Sequence, residues 1–139
     1  MSFREKSAWI SFLCILVVGG LWLADVIRVE FYGVRHGNPL VYFLGLVTAL
    51  VVGEIVLHLA IALQSPHEAR TPEDEREKLI DLKATRLAFY VMIAGGWLSI
   101  ATIHLRFSGF DVSQCILGSI IIAELTKFGA QIALFRRDA

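Results

Sequence analysis

Four ionisable side chains stand where a hydrocarbon layer would make them costly. Glu54 and His58 lie four residues apart in the apolar run 40–63, and Glu124 and Lys127 lie three apart in the run 112–135. Both spacings place the members of a pair on neighbouring turns of one helix face. Ionisable groups inside a membrane span are expensive, and they point to a role. One chemistry that suits them is a relay of protons or small cations. Carboxylates in a low dielectric hold protons more readily than in water, and an imidazole changes charge near neutral pH. The plainer reading is a cross-helix ion pair, Lys127 with Glu54 or Glu124, that fixes helix register. Lys127 and His58 are also near enough to a span end to snorkel partly, and a buried pair is weak support for either reading.

Other chemistries fit these residues less well. A carboxylate and an imidazole at this spacing could begin a metal site, but no second His or Cys joins them at that depth and Lys127 would repel a cation. His58 and His104 fall at opposite ends of oppositely running spans and cannot share one haem. No metal and no cofactor is expected. Nor do a nucleophile, a base and an orienting group coincide in depth, so an enzyme is not expected either.

The elements that must position these groups follow from composition. The chain has 139 residues, 56% of them hydrophobic, and the apolar residues come in four blocks of about membrane-crossing length, near 20 residues for a ~30 Å layer. The spans are read as 7–27, 40–63, 87–105 and 112–135, forming a single four-helix membrane domain over 1–139. The first run is long for a signal core and is followed by no clean small-residue cleavage site, so it reads as a retained helix. Cys14 and Cys115 then differ in depth by roughly 15 Å, too far for a disulfide. Gly19–Gly20, the stripe Gly45, Ala49 and Gly53, and Gly95–Gly96 offer close helix contact and suggest homo-oligomers. Asp25, Arg28, Glu30, His36, His104, Arg106 and Asp111 form the polar rim of the short loops.

The long polar segment 65–86 divides the chain into halves. Ser65-Pro66 and Thr71-Pro72 each supply a cap, a first-turn proline and acids beyond it, so a helix is predicted to run from Thr71 into the third span. Asp74 and Lys78 stand at i,i+4 on this cytoplasmic extension. Lys and Arg number nine at the two termini and this segment, against three (Arg28, Arg35, Arg106) on the other side. The positive-inside bias therefore predicts cytoplasmic termini. Zero net charge and the absence of a basic face exclude nucleic acid as a partner.

The halves also look alike. Shifted by 76, VVGGLWLADVIRVEFYG (17–33) lies over IAGGWLSIATIHLRFSG (93–109), and a shorter second turn brings Glu54 over Glu124. The fold expected is an all-α integral membrane protein of four transmembrane helices, two like hairpins as parallel repeats. The residues DEREKLIDLKATRLAFYVM (74–92) carry the pattern DER-x-x-x-I-x-x-x-A-x-R-x-A-x-Y just ahead of the third span. This resembles a bacterial family of small four-span membrane proteins of unknown function. The resemblance implies the architecture and a bacterial inner membrane, and no activity.

Two functions remain open. In one, protons, cations or a proton-coupled solute pass through the Glu54/Glu124 region with His58 and Lys127. In the other, the protein is a membrane scaffold or regulator whose residues Glu73, Asp74, Glu75, Arg76 and Lys78 meet a cytoplasmic protein or anionic lipid.

Overall fold

A computed structural model describes residues 3–34, 38–64, 74–105 and 107–137, the side chains of 39 and 40 apart. Four long helices account for nearly all of them: α1 (Phe3–Tyr32), α2 (Pro39–Gln64), α3 (Glu75–His104) and α4 (Gly109–Arg137). Each is long and apolar enough to cross a membrane. At ~1.5 Å per residue even α2, the shortest at 26 residues, reaches about 39 Å. The chain divides into two compact units, Met1–Arg70 and Thr71–Ala139. Each is a hairpin of two helices, α1 with α2 and α3 with α4.

What these helices leave uncovered is as informative as what they bury. Leu21 and Phe31 of α1, Ile55 and Leu63 of α2, Trp97 and Leu98 of α3, and Ile122 of α4 all stand exposed. No residue in the apolar window of α2 is buried. In water such a surface would far exceed the few hundred Å² of apolar patch that a soluble monomer tolerates. In a bilayer the acyl chains solvate it, and helices satisfy their own backbone groups, as a hydrocarbon solvent requires.

The first hairpin turns on Gly33, which adopts φ +64° just past the end of α1 while its N–H still bonds the Val29 carbonyl at 3.2 Å. That left-handed conformation suits a residue without Cβ, so glycine ends the helix here. Two contacts set the register. Near the turn the Tyr42 hydroxyl reaches the Leu21 carbonyl at 3.4 Å, and far from it Ser7 meets His58. The two helices are therefore antiparallel. Residues Ala8, Ser11, Ile15 and Gly19 of α1 are buried, at the three- and four-residue spacing of one helix stripe.

The second hairpin packs more closely. Ile80 and Ala84 of α3 are 3% and 0% exposed, and Ala123 and Ile132 of α4 are also buried. Ile80 and Ala84 are the I and the first A of the pattern ahead of the third span, so those two positions of the pattern serve packing, while its Arg76, Arg86 and Tyr90 are exposed. Gln131 of α4 donates to the Asp81 carboxylate at 2.7 Å. Nearer the turn, a Cβ added to Gly95 would run into the side chain of Ser119. The backbones approach closely because glycine stands there.

The start of α3 differs from the sequence expectation. Asp74 is the N-cap, with extended backbone (φ −70°, ψ 153°). Its carboxylate accepts the Glu75 N–H at 2.7 Å, and the Glu77 carboxylate accepts the Asp74 N–H at 3.3 Å. This reciprocal capping box begins the helix after residue 74. The Ser65-Pro66 and Thr71-Pro72 starts lie outside the described residues. Asp74 therefore spends its carboxylate on backbone N–H groups, and no ion pair with Lys78 forms. We expect Asp74→Ala to cost about 1 kcal/mol, the usual worth of such a cap. Hydrogen exchange should show it as faster amide exchange confined to the first turn of α3.

The short loop between α3 and α4 follows the same logic. The Ser108 N–H and hydroxyl both donate to the Asp111 carboxylate, at 2.9 and 2.7 Å, and the Asp111 N–H returns a bond to the hydroxyl. This box starts α4 at Gly109 rather than at 112, and it gives Asp111 a structural task.

Candidate functional site

In the first hairpin the sequence-predicted residues acquire a partner. His58 is half-buried, and its Nδ1 lies 2.8 Å from the Glu54 carbonyl oxygen. A carbonyl only accepts, so the hydrogen belongs on Nδ1. That leaves Nε2, 2.8 Å from the Ser7 hydroxyl of α1. In the neutral ring Nε2 accepts from Ser7 Oγ–H. In the charged ring it donates, and the hydroxyl rotates to accept. Both protonation states keep both hydrogen bonds, so His58 can exchange a proton without losing its place.

Ser7 is the functional candidate that sequence reasoning missed. The available signal was depth: Ser7 stands near the open end of α1, level with His58 near the open end of an antiparallel α2. In membranes such interhelical bonds contribute about 0.6 kcal/mol on average. A Ser7→Ala, His58→Phe double-mutant cycle, read by unfolding in mixed detergent, should return a coupling of that order.

One turn deeper, the half-buried Glu54 carboxylate has neither a hydrogen bond nor an ion pair among the described residues. It lies within electrostatic reach of Cys14 across the helix pair, and Cys14 and Cys115 are both free thiols. From Cys14 toward the turn, α1 and α2 enclose an apolar groove of about 390 Å³ lined by Cys14, Val17, Val18, Leu21, Ala49 and Leu50, among others. The interface thus changes character along its length. The groove itself is apolar, and toward the open end the interface presents Glu54, His58 and Ser7.

In the second hairpin Glu124 is half-buried on α4, also without a hydrogen bond or ion pair among the described residues. Lys127 sits one turn on, its Nζ 5.3 Å from the centroid of the Phe128 ring. That distance suits a cation–π contact. The structure does not join Lys127 to Glu124. Glu54 and Glu124 each lie fifteen residues beyond the start of their helix, about 22 Å along it at ~1.5 Å per residue. Measured along their own helices they stand at matching depth.

The remaining polar residues have local explanations. Ser99, Ser119 and Thr126 each donate to the carbonyl four residues back, at 2.9, 2.7 and 2.7 Å. Such bonds satisfy a hydroxyl in hydrocarbon without any partner helix. At the rim Asp25 keeps one buried carboxylate oxygen with no hydrogen-bond partner among the described residues, and His36 and Arg106 lie outside the described residues. On the extension ahead of the third span, Glu75, Arg76 and Lys78 are exposed, Asp74 caps, and Glu73 lies outside the described residues. Among the described residues no three His, Cys, Asp or Glu side chains cluster as metal ligands would.

Four membrane-length helices, with apolar faces turned outward and carboxylates inside the spans, define an integral membrane protein of the multi-pass α-helical class. The chain belongs to the family described as predicted membrane protein (DUF2178), whose model matches residues 5–139. That membership agrees with the resemblance carried by residues 74–92, and the family is defined by membrane architecture rather than by an activity. No curated protein and no solved structure matches the chain.

Proposed function

We propose that the protein conducts or exchanges protons or small cations across a bacterial inner membrane, with both termini and residues 65–86 in the cytoplasm. The observation that carries this reading is the Glu54 carboxylate. It is half-buried in a membrane span, it has no partner among the described residues, and it stands one turn from a histidine whose hydrogen bonds survive in either protonation state. An unpaired carboxylate at that depth is costly, and a mobile cation or proton offsets the cost. Glu54 is the loading group. His58 and Ser7 link it to the cytoplasmic end, and Glu124 is the matching acid of the second hairpin. Lys127, resting on Phe128, keeps a fixed positive charge one turn from Glu124 and limits how long a cation stays there.

The test is flux into liposomes holding the purified protein under an imposed proton or potassium gradient. Glu54→Gln should lower the initial rate to that of empty liposomes, and Glu54→Asp should retain part of it. Unchanged flux in Glu54→Gln would overturn the reading.

A second reading rests on the exposed Glu75, Arg76 and Lys78 at the head of α3. In it the protein is a scaffold that meets a cytoplasmic protein. Charge reversal at those three positions would then abolish partner binding while Glu54→Gln left it intact.

A further inference from the structure

We infer that the groove between α1 and α2 is a binding site for a lipophilic organic cation, its apolar body lying against Val17, Val18, Leu21, Ala49 and Leu50 and its charge held by Glu54. This deepens the transport reading and rests on it, because it names the cation class that Glu54 would take.

The volume, about 390 Å³, falls in the range of small-molecule sites. The lining is apolar throughout, and the groove is open rather than closed, so a solute can enter it without unfolding the hairpin. An acyl chain of an ordinary lipid could fill it, but would leave the Glu54 carboxylate without a hydrogen bond or ion pair among the described residues. Glu54 does not itself line the groove, but it follows the lining residue Leu50 by one turn of α2 and lies within electrostatic reach of the lining residue Cys14, so its carboxylate adjoins the end of the groove away from the turn. A solute with both an apolar body and a positive charge answers both features. The charge meets the carboxylate in a low-dielectric setting, where attraction is far stronger than in water. A small inorganic cation leaves the apolar groove unused, and an organic anion is repelled.

The probe is tetraphenylphosphonium, with tetraphenylborate as a control of the same shape and opposite sign. Binding to the full-length protein in nanodiscs is measured by equilibrium dialysis against empty nanodiscs. We expect saturable binding of the cation and none of the anion above background. Glu54→Gln should weaken cation binding at least tenfold, and Glu54→Asp should recover part of it. Val18→Trp, which fills the groove and leaves the carboxylate in place, should weaken it by a similar factor. Melting temperatures recorded beside each variant separate loss of site from loss of fold, and Leu16→Trp on the lipid-exposed side of α1 serves as the packing control. Equal binding of both ions, or cation binding indifferent to Glu54→Gln and to Val18→Trp, would overturn the inference. If tetraphenylphosphonium fails to bind while proton or potassium flux still depends on Glu54, only the organic-cation assignment falls. If that flux is also independent of Glu54, the transport reading falls with it.

Discussion

Gly95→Leu is expected to destabilise the protein in mild detergent, whereas Gly96→Leu, one residue along the same helix, is expected to be neutral or slightly stabilising. Both replace a helical glycine, and both gain up to about 1 kcal/mol of helix propensity. They differ in what the new side chain meets. A Cβ on Gly95 runs into the Cβ and Oγ of Ser119, atoms close to the α4 backbone that cannot swing away, whereas a Cβ on Gly96 meets nothing within 4 Å. Overpacking at a tight contact costs roughly 1–3 kcal/mol, and more where backbones must part. At position 95 that cost exceeds the gain, and at position 96 only the gain remains. The far-ultraviolet melting curve of each variant measures the difference. The steric origin has its own check: Ser119→Gly should relieve much of the loss in Gly95→Ala. If the two leucine variants melt together, the close approach of α3 and α4 is wrong.

The second large effect is expected at Glu54, and it carries the opposite sign for stability. Removing a carboxylate that has no ion pair among the described residues sacrifices none of their contacts, and it relieves the cost of holding a charge in hydrocarbon. Glu54→Gln should therefore melt at the same temperature as the parent, or above it, while flux falls to background. Had the acid been one half of a structural ion pair, the same substitution would strand its partner and destabilise by several kcal/mol. Stability and flux must move separately if Glu54 is retained for transport.

The architecture was legible because solvent dictates it. Four apolar runs of membrane length can form only helices there, and the helices found extend the expected spans by a few residues or turns at most ends. Helix starts were legible only in part. Residues 65–74 offer several competing caps, Ser65, Thr71 and Asp74, and propensity alone does not choose among them. At the helix Glu75–His104 the cap is Asp74, because Glu77 three residues on completes a reciprocal box, while Ser65 and Thr71 lie outside the described residues. Residues 108 and 111 escaped notice for a related reason: Ser-Gly-Phe-Asp reads as a loop until its two side chains are seen to cap each other.

At the candidate site Glu54 and His58 could be read directly, since one helix relates them by periodicity. Ser7 could not, because cross-helix register depends on the turn at Gly33 and on side-chain packing rather than on spacing within one helix. The same holds for Gln131 and Asp81, which join the open end of the second hairpin. Lys127 looked like a cross-helix partner for a carboxylate on sequence grounds, and its place over the Phe128 ring depends on side-chain torsions that no spacing encodes.

The most direct measurement is a paired one on a single preparation of Glu54→Gln: thermal melting in detergent, and proton or cation flux after reconstitution into liposomes. If Glu54 is retained for transport, the variant melts at or above the parent's temperature, with flux lost and Glu54→Asp recovering part of it. A variant that melts well below the parent would make Glu54 a structural group. A variant that keeps full flux would remove it from the path altogether.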